Sequence, residues 1–67
     1  MKFELFQDAK REWRWRLIAD NNVDVVADSG EGYVNKADAL NGINVVRSVS
    51  TSTAVFEKKS DGTWIKH

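Results

Sequence analysis

The chain has 67 residues, with ten Lys and Arg balancing ten Asp and Glu. That neutrality removes general attraction to nucleic acid or anionic lipid. The absence of cysteine excludes disulfides and thiolate metal sites. A single domain of this length buries only about 60% of its unfolded surface. It usually needs a staple or a partner, so oligomerisation is the expected source of extra burial.

Lys2 to Asp8 alternates, with Phe3 and Leu5 on one face and Lys2, Glu4 and Phe6 on the other. The period of two predicts a strand. Asp8-Ala9-Lys10 reads as a short hairpin connection. Arg11 to Ala19 predicts a second strand. Trp13, Trp15, Leu17 and Ala19 share one face; Glu12, Arg14, Arg16 and Ile18 share the other. Asp20-Asn21-Asn22 is a turn, because Asn and Asp tolerate left-handed backbone. Val23 to Ala27 is β-branched and predicts a third strand, completing an antiparallel meander.

Ser29 to Tyr33 is a glycine-rich connection. Asn35 then has the chemistry of a helix N-cap, with Asp38 placed to favour the positive helix end. Ala37, Leu40, Ile43 and Val46 predict the buried face of a helix ending near Val46 or Arg47. Gly42 inside it costs about 1 kcal/mol relative to Ala, which suggests close packing on the sheet. Residues 48 to 53 form a hydroxyl-rich linker. Thr53 to Lys58 alternates again, with Val55 and Phe56 as its apolar members. Asp61-Gly62 is a two-residue hairpin signal, after which Thr63 to Lys66 returns as a short fifth strand.

Trp13-Arg14-Trp15-Arg16-Leu17, Asp28-Ser29-Gly30-Glu31-Gly32-Tyr33, Asn35-Lys36-Ala37 and Gly42-Ile43 occur here in an order and spacing that resembles the YegP-like family, also called DUF1508 or UPF0339. The likeness covers residues 3 to 47. It implies an α+β fold: a β-β-β-α-β unit, with one helix packed on one face of an antiparallel sheet. Two such units, in tandem or on two chains, share one sheet and exchange C-terminal strands. For residues 1–67 as one unit, that implies a homodimer with Val55, Phe56 and Trp64 at the interface. The resemblance brings no established activity.

Three chemistries remain to be weighed. Arg14, Arg16 and Lys36 are the candidate binding residues, with weak single-stranded nucleic-acid binding as the alternative to a structural or interaction role. Against that alternative, alternation sends the Trp rings away from Arg14 and Arg16, and Glu4 can pair with them across strands. Ser29-Gly30-Glu31-Gly32 lacks the Lys-Ser/Thr ending of a phosphate loop. No nucleophile, base and orienting group stand out, so no enzyme, cofactor or metal is expected. No apolar run reaches the roughly 20 residues that span a membrane. No signal-peptide core is visible either, so the expected location is the cytoplasm.

Overall fold

Alternation over the first two segments becomes a tight antiparallel pair. In the computed structural model, which describes all 67 residues, β1 (Lys2–Gln7) pairs with β2 (Trp13–Ile18) in unbroken register from Lys2↔Ile18 to Gln7↔Trp13. β3 (Val25–Asp28) follows antiparallel on the other side of β2, so the sheet order is β1-β2-β3. Helix α1 (Lys36–Arg47) lies over β1 and β2. A separate hairpin of β4 (Phe56–Lys58) and β5 (Trp64–Lys66) ends the chain. The class is α+β.

Turn chemistry trims the expected strands. Asp8 Oδ1 accepts the backbone N–H groups of Lys10 and Glu12 at 2.9 and 3.0 Å. Arg11 sits in left-handed backbone at φ 61°, so β2 starts at Trp13. Asn21 Oδ1 likewise accepts from Val23 and Asp24 at 2.9 and 3.1 Å, and Asn22 has φ 59°. Val23 and Asp24 therefore belong to the turn. The chain ends in a hairpin rather than a single strand. Its loop runs from Lys59 to Thr63, longer than the expected Asp61-Gly62 tip. Lys59 N–H donates to Thr63 O at 2.7 Å and Gly62 takes φ 91°.

The core is Trp15, Ala39 and Ile43, flanked by Phe3, Leu5, Trp13, Tyr33 and Val46. Phe3 meets Trp15 edge to face, with centroids 5.6 Å apart. The inward stripe of the helix is Ala39, Gly42, Ile43 and Val46, so the expected Ala37 and Leu40 are displaced and Leu40 stays 42% exposed. Gly42 is explained by contact: a Cβ there would stand 3.0 Å from Trp15 Nε1. That Nε1 is buried without a hydrogen-bond partner, a cost of about 1–3 kcal/mol that ring burial must exceed. Asn35 occupies the N-cap position, but its side chain makes no cap bond. Its carbonyl accepts from Asp38 and Ala39 instead.

Ile18 shares the face of Arg14 and Arg16 but is not open to solvent. It is only 6% exposed, between Lys2 and Val25 in register. Strand parity placed it correctly beside Arg14 and Arg16, but parity does not say which positions of an open face neighbours cover.

Trp15→Ala removes the largest core group from a unit with four buried residues, and such truncations cost about 3–5 kcal/mol. The variant is expected to lose its cooperative thermal transition. An unchanged melting temperature would refute this packing.

Candidate functional site

Three surfaces carry chemistry: the sheet face away from the helix, the flanks of the helix, and the C-terminal arm.

Arg14 and Arg16 project from β2 onto the open face. Arg14 Nε donates to Asp8 Oδ2 at 2.7 Å. Its partner thus comes from the first turn rather than from Glu4 across the strands. That hydrogen bond, with those from the Glu12 and Lys10 amides, holds the Asp8 carboxyl below its ordinary range, and it raises Arg14 in turn. Arg16 Nε lies 3.5 Å from Glu4 Oε1, as the cross-strand pairing predicts, and its guanidinium stacks 4.5 Å over the Phe6 ring. Lys2 Nζ is 3.7 Å from the other oxygen of Glu4. Asp28 stands opposite Arg16 in register. Three cations thus pair with Glu4 and Asp8 on this face, and Asp28 adds a third carboxylate beside them. Beside them is a cavity of about 160 Å³ bordered by Phe6, Arg14, Arg16, Val25 and Asp28.

Lys36 does not join the arginines. Its Nζ sits 5.4 Å over the Trp13 ring, on the helix side of the sheet. The three candidate residues therefore divide between two faces. Phe6 joins the arginine face as its parity with Glu4 in β1 predicts, whereas Asp8 reaches it from a turn that no periodicity marks. On the helix flank toward Tyr33 a groove of about 530 Å³ is lined by Trp15, Tyr33, Asp38, Asn41, Gly42 and Val45.

The arm is the most exposed apolar element. Val55, Phe56, Trp64 and Ile65 are open to solvent, and the hairpin touches neither the sheet nor the helix. Register puts Phe56, Lys58, Trp64 and Lys66 on one face and Glu57 and Ile65 on the other. Lys58 Nζ lies 6.0 Å over the Trp64 ring, and His67 Nε2 is 2.7 Å from Glu57 Oε1. The preceding linker holds a turn in which Thr53 N–H donates to Ser50 O and Ser50 N–H donates to Thr53 Oγ1, both at 3.0 Å. No three His, Cys, Asp or Glu side chains converge as a metal set, and no helix is long and apolar enough to cross a membrane.

Residues 8–57 match the family described as "Domain of unknown function (DUF1508)". A UPF0339 protein of Neisseria meningitidis serogroup B is 40% identical over 57 residues, which is 85% of this chain and 98% of that one. A UPF0339 protein of Stutzerimonas stutzeri, described as lying in the ptx operon 5' region, is 37% identical over 60 residues, covering 90% of this chain and 52% of its relative. The NMR solution structure of a Haloferax volcanii protein superposes with a TM-score of 0.73 at 45% identity, over 84% of this chain and 92% of that one.

The lowered Asp8 pKa sets a pH signature. Because the folded value lies below 3.8, the stabilisation is present above about pH 4 and is lost as pH falls through the folded value. Asp8→Asn keeps an acceptor for the turn but loses the charge. Denaturant unfolding should show the two proteins furthest apart above about pH 4 and converging in stronger acid. A gap independent of pH would reject the role of the charge.

Proposed function

The chain belongs to the DUF1508 family, and on that premise we propose that it is a self-associating structural or interaction module, a homodimer that exchanges its C-terminal arm and carries no catalysis of its own. The observation that carries this reading is the arm, whose Phe56, Trp64 and Ile65 are exposed and whose strands touch neither the three-stranded sheet nor the helix. Apolar surface of that kind is a liability unless a partner covers it.

Size gives independent support. The radius of gyration is 14.7 Å, against about 11 Å for a compact domain of this length. The accessible surface is 5415 Å² for 7.6 kDa, whereas a compact monomer of that mass exposes about 4,300 Å². The excess of about 1,100 Å² exceeds the roughly 800 Å² that each partner buries in a standard interface. Exchanging an element between identical chains makes each arm cover its neighbour. The chain covers 52% of the Stutzerimonas relative, which leaves that protein room for a second unit of similar size.

The nucleic-acid reading gains little from the open face. Arg14 is held by Asp8 and Arg16 by Glu4, so phosphate would have to displace carboxylates. Phe6, the aromatic on that face, is already covered by the Arg16 guanidinium.

If the arm is exchanged, folding is coupled to association, and the melting temperature should rise with protein concentration. Truncation after Arg47 should yield an unfolded or insoluble chain. Sedimentation showing a folded monomer at micromolar concentration, with a melting temperature independent of dilution, would overturn the proposal.

A further inference from the structure

We propose that Asn41-Gly42 is a spontaneous modification site, where Asn41 deamidates to aspartate or isoaspartate, and that the docking of α1 on Trp15 is the gate that holds the reaction back. The inference uses contacts within one chain and is independent of the exchange of the arm.

The chemistry belongs to the pair. The backbone nitrogen of Gly42 attacks the side-chain carbonyl carbon of Asn41. A C–N bond forms and closes a five-membered succinimide. The Gly42 nitrogen gives up its proton, and the side-chain nitrogen leaves as ammonia. Water then opens the ring at one of its two carbonyls. One opening gives aspartate; the other routes the main chain through the side chain and gives isoaspartate. Glycine hinders this attack least of all successors, because it carries no Cβ. Asn41 is the one asparagine of the chain followed by glycine; the others precede Asn, Val or Lys. Asn21 is tied down besides, its Oδ1 accepting from Val23 and Asp24 and its Nδ2 donating to Asp24.

The fold itself demands the residue that makes the pair labile. A Cβ at position 42 would stand 3.0 Å from Trp15 Nε1 and 3.6 Å from the Tyr33 hydroxyl, so glycine there is a packing requirement. Asn41 lies next to it on the exposed flank of α1, at the rim of the groove it shares with Asp38 and Val45. Water for the second step is at hand there.

The helix supplies the restraint. Both residues are interior to α1. The Gly42 N–H is therefore committed to the carbonyl of residue 38, and the backbone of Asn41 is fixed at helical angles. Ring closure needs that amide released and the Asn41 backbone turned out of the helical well. A helix of 12 residues is marginal by itself, and what holds this one is Ala39 and Ile43 packed with Trp15. The reaction thus waits for α1 to leave Trp15. Deamidation is slow beside helix opening, so its rate tracks the open population. The isoaspartate product makes the opening one-way. It adds a carbon to the main chain at residue 41, which breaks the hydrogen-bond ladder at the turn carrying Ile43. The aspartate product keeps the backbone and sets a second carboxylate three residues from Asp38.

The test holds folded wild-type protein in warm, mildly alkaline buffer beside the same chain in denaturant. Ion exchange reads the added negative charge, and peptide mass spectrometry locates it. Protein isoaspartyl methyltransferase with labelled S-adenosylmethionine counts the isoaspartate. The denatured chain is expected to react at Asn41 at least about tenfold faster than the folded one. Ile43→Val weakens the contact without touching the pair. It should raise the folded rate about three- to tenfold and leave the denatured rate unchanged. Asn41→Gln should remove the fast reaction in denaturant, because its ring closure must make a six-membered ring. Equal rates in the folded and denatured wild-type chain overturn the gate. Acidification undiminished in Asn41→Gln, or located at another asparagine, overturns the site. A folded Ile43→Val rate equal to that of wild type overturns the role of the Trp15 contact.

Discussion

The fold hangs on the contact between the Trp15 indole and the helix backbone at Gly42. A glycine at that position lets α1 come down until a Cβ would stand 3.0 Å from Trp15 Nε1. With the helix that low, Ala39 is fully buried and Ile43 nearly so. Glycine costs about 1 kcal/mol of helix propensity relative to Ala. Burying a large aromatic against Phe3, Ala39 and Ile43 outweighs that cost and the unpaired indole N–H. A larger residue at 42 would lift the helix from the sheet and reopen the core that this chain is able to build.

That core is small in absolute terms, and the limitation explains the rest of the molecule. Four residues fall in the buried class. Leu40 and Val45 of the helix and the apolar residues of the arm all remain exposed in the single chain. With no cysteine available, covalent staples are closed off, and cover must come from protein surface. An arm detached from its own body is the geometry in which a second copy can supply it. In the proposed exchange the Ser50–Thr53 turn matters, because a hydrogen-bonded hinge would preset the direction of the arm and lower the ordering entropy lost on docking.

Much of this was legible in the sequence, for physical reasons that also explain the failures. Strand parity is geometric, so Trp13 and Trp15 against Arg14 and Arg16 could be assigned to faces before any coordinates, as could the Glu4–Arg16 pairing. The helix bounds followed from Asn35 and from the change of pattern after Arg47. The helix stripe was harder. Ala37, Leu40, Ile43 and Val46 are spaced by three, and that regularity competed with the truer 3.6-residue set of Ala39, Ile43 and Val46, because Ala and Gly barely register as apolar markers. Asp8 escaped notice as the partner of Arg14 because it lies in a turn, where side-chain direction follows from Asx geometry rather than periodicity. Charge alone groups Lys36 with the arginines. Its position at the helix start instead sends it over Trp13, a tertiary consequence that no local pattern records.

The open face and the arm differ in what they present to solvent. Lys2, Arg14 and Arg16 are matched by Glu4, Asp8 and Asp28 within one chain, so this face presents little net field to a charged partner. Exposed pairs of this kind add little stability; their effect is to keep a broad strand surface hydrated and indifferent to anions. In the proposed dimer, specificity would fall to shape and apolar contact at the arm. The bulge in β3 and the lysines of the arm limit alternative pairings. The proposed association with a second copy therefore rests on the uncovered hairpin, since the charged face is already neutralised within its own chain.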